Sequence, residues 1–280
     1  MLLACVLAAC ASAPRAQPQR IGDNVAPARA TILPERASQG ALVIGSTHPA
    51  ATVTIAGRNV RVAADGSFVF GISRDASGEV LVAVKQPGTG VIEHRIAVTP
   101  RDWPIERIDG VPPKTVNPPP AIAARIAREQ AQVAAARERD DAREDYGQAF
   151  IWPVHGRISG RFGNARVYNG QPGAGHSGMD IAVPEGTLVK APAAGVITFA
   201  GPDLYLTGGT VLLDHGHGVS SNFLHLSRID VKVGERVEPG QVIGAVGATG
   251  RATGPHLHWG MNWFDVRVDP QLVLEGAATH

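Results

Sequence analysis

Gly250-Arg251-Ala252-Thr253-Gly254-Pro255-His256-Leu257-His258-Trp259 carries two histidines two positions apart. On a strand, residues i and i+2 point to the same face, so both imidazoles look the same way. Well upstream, His176-Ser177-Gly178-Met179-Asp180 adds a third imidazole and a carboxylate. Neutral imidazole and carboxylate are natural zinc ligands, and three protein ligands with one open position make a catalytic site. The two stretches together read as a zinc site on a β scaffold. One histidine of the pair binds the metal and the other stands beside it.

That reading makes a demand on the backbone. Residues four apart on a straight strand lie roughly 13 Å from each other, too far to chelate one ion. Ser177-Gly178 must therefore bend the chain, and the glycine supplies freedom to do so. There is no His-Glu-x-x-His helix, which excludes a helical zinc peptidase.

The length of 280 residues suggests two domains or so. A net charge of +1 argues against a dedicated nucleic-acid binder. Many Gly and Pro with few aromatics suit a turn-rich β fold. Both cysteines, Cys5 and Cys10, fall in the first ten residues, so no disulfide framework is available. Residues 1–13 read as an export signal. Its apolar run, residues 2–9, is too short to span a bilayer. Leu7-Ala8-Ala9-Cys10 fits a bacterial lipoprotein cleavage pattern with Cys10 as the lipidated residue. The competing reading is ordinary cleavage after Ala11-Ser12-Ala13.

Residues 14–36 are rich in Ala, Pro, Arg and Gln and read as a disordered tether. From 37 to 101 the chain alternates. Val53 and Ile55, Phe68 and Phe70, Val82 and Val84, and Ile96 and Val98 each put two apolar groups on one strand face. Turn signals at Gly57-Arg58-Asn59, Asp65-Gly66 and Gln86-Pro87-Gly88 separate them, which predicts a small β-sandwich. No catalytic cluster lies there; His48 and His94 read as surface groups. Residues 102–149 hold a Pro-rich connector and a helix over about 121–145, built from strong helix formers. Ile122, Ile126 and Val133 make only a narrow apolar stripe, so a solvated spacer helix about 36 Å long is expected, with a helix that packs on a domain or a partner as the alternative. The last domain, 150–274, has short strands and frequent glycines. Gly186-Thr187-Leu188-Val189 is echoed by Gly234-Glu235-Arg236-Val237, which suggests a duplicated β motif.

From about residue 162 to 270 the chain resembles the lysostaphin-type zinc endopeptidases that cut the peptide part of peptidoglycan. The resemblance rests on His176-Ser177-Gly178-Met179-Asp180, Gly186-Thr187-Leu188-Val189-Lys190-Ala191-Pro192, Asp214-His215-Gly216-His217-Gly218, Phe223-Leu224-His225-Leu226, Gly240-Gln241-Val242-Ile243-Gly244 and Gly254-Pro255-His256-Leu257-His258, in that order. It implies a mainly β protein. The C-terminal domain would be an antiparallel barrel-sandwich with the duplicated hybrid motif, joined by one linking helix to the small sandwich. It implies one zinc ion per chain on His176, Asp180 and His258, with His225 and His256 acting on the reaction. Two positions depart from the family: Phe223 stands where Tyr is frequent, and Ala174-Gly175 where many relatives carry Arg. His215 and His217 mimic a ligand pair, but they read as a hairpin turn and the family uses neither.

The implied function is hydrolysis of peptide cross-links in the cell wall, with stem peptides as substrate. A diaminopimelate-type cross-link is favoured, because a lipoprotein tether suits a periplasm. Ala11, where an inner-membrane lipoprotein usually has Asp, points to the outer membrane; ordinary secretion is the alternative. A regulatory protein partner belongs to the same picture, and nucleic acid does not. A second reading is a catalytically inactive relative that binds and activates a cell-wall amidase. Such regulators typically lack some metal ligands, and all three are here. A third is a lipoyl-type carrier, which needs a lysine at a tight turn. Lys190 precedes Ala191-Pro192 and Lys232 sits in a strand-like run, so neither qualifies.

Overall fold

The computed structural model describes residues 28–275. Cys10 and the export segment lie outside them. The chain is mainly β, as the alternation and turn chemistry require.

The N-terminal sandwich has a five-stranded sheet and a two-stranded one. The first runs Arg36–Ser38, Val91–Thr99, Glu79–Lys85, Thr52–Ile55, Arg58–Val60; the second pairs Leu42–Ser46 with Ser67–Gly71. Val53, Ile55, Val82, Val84 and Ile96 are buried as their spacing predicts. Phe68, Val69 and Phe70 are all buried, although alternation protects only one face of a strand. The reason is a second contact. Phe70 meets Trp263 of the C-terminal domain edge-on at 6.5 Å, and a Cβ on Gly71 would lie 2.8 Å from Val268 Cγ1. The two-stranded sheet is thus wedged between the domains.

Two expectations need correction at the edges of this domain. The end of the expected tether is ordered: Ile32 bridges Ser46, and the Arg29 amide donates to Gln86 Oε1 at 2.9 Å. The Pro-rich connector also contributes structure. Ile105–Ile108 pairs in parallel with Ala165–Tyr168, so the connector adds a strand to the wall of the C-terminal domain.

The linking helix spans Pro120–Arg137. Pro120 at its first position needs no hydrogen-bond partner, and Ala, Arg, Glu and Gln favour the rest. It ends short of residue 145 because the following acids are drawn elsewhere. Arg61 Nε donates to Asp140 Oδ1 at 2.8 Å, and Arg143 holds Asp141 and Asp214. Nor is it a free spacer. Arg125 Nε donates to Glu129 Oε1 at 2.6 Å, and Glu129 Oε2 accepts the Tyr205 amide at 2.8 Å. Ile126, Gln130, Val133, Ala134 and Arg137 share one helix face and line a groove against Leu204, Leu206 and Leu224. A stripe too narrow to bury a helix is wide enough to make one wall of an open groove.

In the C-terminal domain every strand pairing of the large sheet is antiparallel. Its main path runs Arg236–Val237, Gly195–Leu204, Gly208–Gly216, Val219–Ile229, Leu257–Trp263, Met179–Ala182, Arg157–Gly160. The echoed motifs interlock. Leu188–Lys190, after Gly186, pairs with Val242–Val246 of the second copy; Arg236–Val237, after Gly234, pairs with Gly195–Leu204 of the first. Both glycines have positive φ, 83° and 86°, which L side chains resist. Each copy therefore completes the other, and side chains are fixed on the sheet they share.

Candidate metal centre

Three strand segments place the site. Asp180 pairs with His258, and His258 pairs with Leu224, so one row crosses three adjacent strands. His176 enters from the loop before Met179–Ala182 and lies buried beside that row. Its Nδ1–H donates to the Arg161 carbonyl at 2.9 Å, which leaves Nε2 with a lone pair. That Nε2 is 3.1 Å from Asp180 Oδ1 and 3.0 Å from His258 Nδ1, and the last two atoms are 2.8 Å apart. The demanded bend is present, with Gly178 at its end. The glycine serves it sterically: a Cβ there would sit 2.5 Å from the Trp259 carbonyl and 2.7 Å from His258 Nε2. His258 Nε2 is thereby boxed in without a partner, and Nδ1 is the nitrogen that faces the site.

Such a triangle fits a cation. Three acceptor atoms converge, and a single proton on His258 Nδ1 can serve only one of its neighbours. A zinc ion accepts all three at ordinary bond lengths of about 2.0–2.2 Å. His176, Asp180 and His258 are also the one such trio among the described residues. Burial works to raise the Asp180 carboxyl. The polar contacts with His176 and His258 outweigh it and hold the group well below the usual carboxylate range.

The second oxygen of Asp180 belongs to a residue that the sequence does not single out. Arg166 Nη2 donates to Asp180 Oδ2 at 2.6 Å, and its Nε donates to Glu106 Oε2 at 3.1 Å. Glu106 comes from the connector strand, so the linker reaches Asp180 through one arginine. Gly160 makes room; a Cβ there would lie 2.6 Å from both Arg166 Nη2 and Asp180 Oδ2. Nothing in the sequence separates Arg166 or Glu106 from ordinary surface charges; their partners are set by strand pairing. Arg166 is a positioning residue. Arg166→Gln is expected to weaken zinc binding by about 10–100-fold, the usual cost of losing a ligand's support. Titration against a zinc-competing indicator reads this directly; unchanged affinity would remove the role.

His225 and His256 flank the trio. Their rings are 4.8 Å apart between centroids, and His225 is 6.3 Å from His258. His256 Nδ1–H donates to the Gly254 carbonyl at 2.8 Å, and its Nε2 stands 3.8 Å from Asp180 Oδ1. His225 Nδ1–H donates to the Thr249 carbonyl at 2.7 Å. Both rings are fixed through Nδ1, which leaves Nε2 without a hydrogen-bond partner among the described residues. Simple alternation would send His225 to the face opposite Leu224. A bulge prevents that: Val211 pairs with Phe223 but Gly209 with Leu226, so one extra residue is absorbed. His225 sits in it with φ 64°, and a bulge re-aims a side chain. Burial, then the neighbouring charges of His256 and His258, push its pKa down to about 3.

His215 and His217 lie elsewhere. His217 turns the hairpin with φ 50° and packs on Tyr146 at 4.9 Å. His215 is fully buried; it donates to the Ala194 carbonyl at 2.7 Å and accepts from Ser221 Oγ at 2.9 Å. Burial lowers its pKa to about 4. The unfolded chain then takes up this proton near pH 6.5 while the fold resists until about 4. Stability is present in full above pH 6.5 and falls through that window, by on the order of 3 kcal/mol. Urea midpoints at pH 7 and 4.5 should show the drop, and His215→Gln should show a smaller one.

Comparison with known proteins identifies the family. The model described as peptidase family M23 matches residues 174–270. A crystal structure of a candidate peptidase M23 from Pseudomonas aeruginosa superposes with a TM-score of 0.68 at 36% identity, covering 85% of this chain and 94% of that one. The chain belongs to peptidase family M23. The cell division protein DipM of Caulobacter vibrioides is 34% identical over 165 residues, 57% of this chain and 26% of its own length. The peptidoglycan DD-endopeptidase ShyA of Vibrio cholerae is 42% identical over 104 residues, 37% of this chain and 24% of its own. The chain thus spans about a quarter of the length of these relatives, 26% and 24% respectively. The M23 match spans His176, Asp180, His225, His256 and His258.

Proposed function

We propose that the protein is a zinc endopeptidase that hydrolyses peptide cross-links of peptidoglycan. The observation that carries this is the convergence of His176 Nε2, Asp180 Oδ1 and His258 Nδ1 within 3.1 Å of one another, in a cleft that also holds two further imidazoles. The substrate class is supported by relatives named for it, among them ShyA and the DD-carboxypeptidase/endopeptidase Mpg of Neisseria meningitidis. His176, Asp180 and His258 hold the metal. Bound zinc supplies a Lewis acid that polarises the scissile carbonyl and makes water acidic near neutral pH.

The chain's own groups do the rest. His256 Nε2 is free to accept a proton from the attacking water. His225, held neutral by burial, orients that water or steadies the charge that develops on the carbonyl oxygen. Proton transfer of this kind contributes roughly 10²–10⁴-fold. Arg166 keeps Asp180 Oδ2 occupied, so that Oδ1 alone is offered to the metal. Purified cell walls incubated with the protein should lose cross-links, stop doing so with a chelator, and resume when zinc returns. Solubilisation that ignores the chelator would refute the zinc reading.

The same reading places the protein outside the cytoplasm, in the periplasm, held to the outer membrane through lipidated Cys10. More than one acyl chain anchors far more firmly than a single chain. Cys10→Ala should move the protein from the membrane to the soluble fraction and leave its hydrolytic rate on isolated walls unchanged. A wild type that is already soluble would favour ordinary secretion.

A further inference from the structure

The groove beside the metal centre holds two guanidinium groups and no carboxylate to meet them. Arg267, on Val266–Val268, lines the metal cleft with Ser177, the residue after His176. Arg137, the last residue of the linking helix, stands on the opposite wall. Both line a cavity of about 350 Å³ between helix and sheet. That cavity opens into the metal cleft, since Gln130, Ser177, Leu224 and Arg267 line both.

An arginine stays charged in a protein, so each of these groups calls for an anion. Among the described residues neither has one. Arg267 Nη1 donates to the neutral Asn262 Oδ1 at 3.0 Å, and Arg137 Nε is buried without any acceptor. The carboxylate that lines the cavity, Glu129, is spent on Arg125 and the Tyr205 amide. Burial depresses both guanidinium pKa values, Arg137 to about 9, and repulsion from Arg267 adds to the effect on Arg137. Two like charges held together in a half-buried wall cost stability unless something of opposite sign joins them.

We propose that Arg137 and Arg267 form a carboxylate subsite of the groove, which takes a free carboxylate of the stem peptide beside the scissile bond. This rests on the peptidase reading of the adjoining centre. The guanidinium fork matches a carboxylate with two parallel hydrogen bonds. Stem peptides suit it, because their acidic residues keep carboxylates that the backbone does not use. The linking helix gains a purpose: it brings one of the two arginines to the groove.

Equilibrium binding of an uncross-linked stem peptide to the zinc-loaded full chain tests the subsite without requiring cleavage. The peptide with free carboxylates should bind about tenfold or more tightly than the same peptide with them amidated, the scale of a lost charged hydrogen bond. Arg267→Gln and, independently, Arg137→Gln should each erase that preference while zinc content stays at the wild-type level. Arg267→Lys, which keeps the charge and loses the fork, should fall between. Equal binding of the two peptides by wild type, or no binding of either, overturns the subsite. So does a preference that survives both Gln variants. Hydrolysis of cross-linked dimers, run in parallel, separates the two ideas. Selective binding without cleavage keeps the subsite and sinks the endopeptidase; cleavage without selectivity does the reverse.

Discussion

Asp180→Ala and His258→Ala are each expected to lose zinc and hydrolysis together, with turnover falling by more than about 10⁴-fold. The site offers three ligand atoms, 2.8–3.1 Å from one another, from residues that are all buried. With two left, the chelate is open. In Asp180→Ala the positive Arg166 is also released beside the metal position, where it repels a cation. Several kcal/mol of transition-state stabilisation and the acidified water go at once, and each 1.36 kcal/mol is tenfold in rate. Metal analysis of each variant beside its activity is the check. Full zinc retained in both would dismiss the ligand assignment.

His225→Ala should separate what the first pair joins. Its zinc content is expected to be that of wild type, and its turnover lower by roughly 10²–10⁴-fold. The ring makes no hydrogen bond to a ligand atom of the trio; its Nδ1–H is tied to the Thr249 carbonyl at 2.7 Å. Neutrality across the working range follows from a pKa pushed down to about 3, so the acid limb of a pH profile should not track this group. His217→Ala, remote against Tyr146, should keep both zinc and turnover and serves as the control. Near-normal hydrolysis by zinc-loaded His225→Ala would remove His225 from the chemistry.

The β architecture is legible in the sequence because period-two alternation and turn residues are local signals. Val53 and Ile55, or Val82 and Val84, need no partner to be read. The convergence of His176, Asp180 and His258 is legible through motif and resemblance together. What is not legible is non-local. Arg166 and Glu106 acquire their role only when Ile105–Ile108 docks on Ala165–Tyr168. The bulge that turns His225 toward His256 depends on a register shift between two strands, which no residue type announces. Gly178 reads as a hinge, yet its missing side chain matters more, as the space is taken by His258. The linking helix is predictable from propensity, but its contact with the groove is not. Its stripe of Ile126 and Val133 is short, and only the sheet opposite gives it a use.

The most direct test of the central claim is the mass of muropeptides released when the zinc-loaded protein acts on purified peptidoglycan. The account predicts that cross-linked dimers disappear while monomers gain one water per peptide bond cut, and that Asp180→Ala leaves the dimers intact. Dimers that persist with zinc bound to the wild-type site would contradict it.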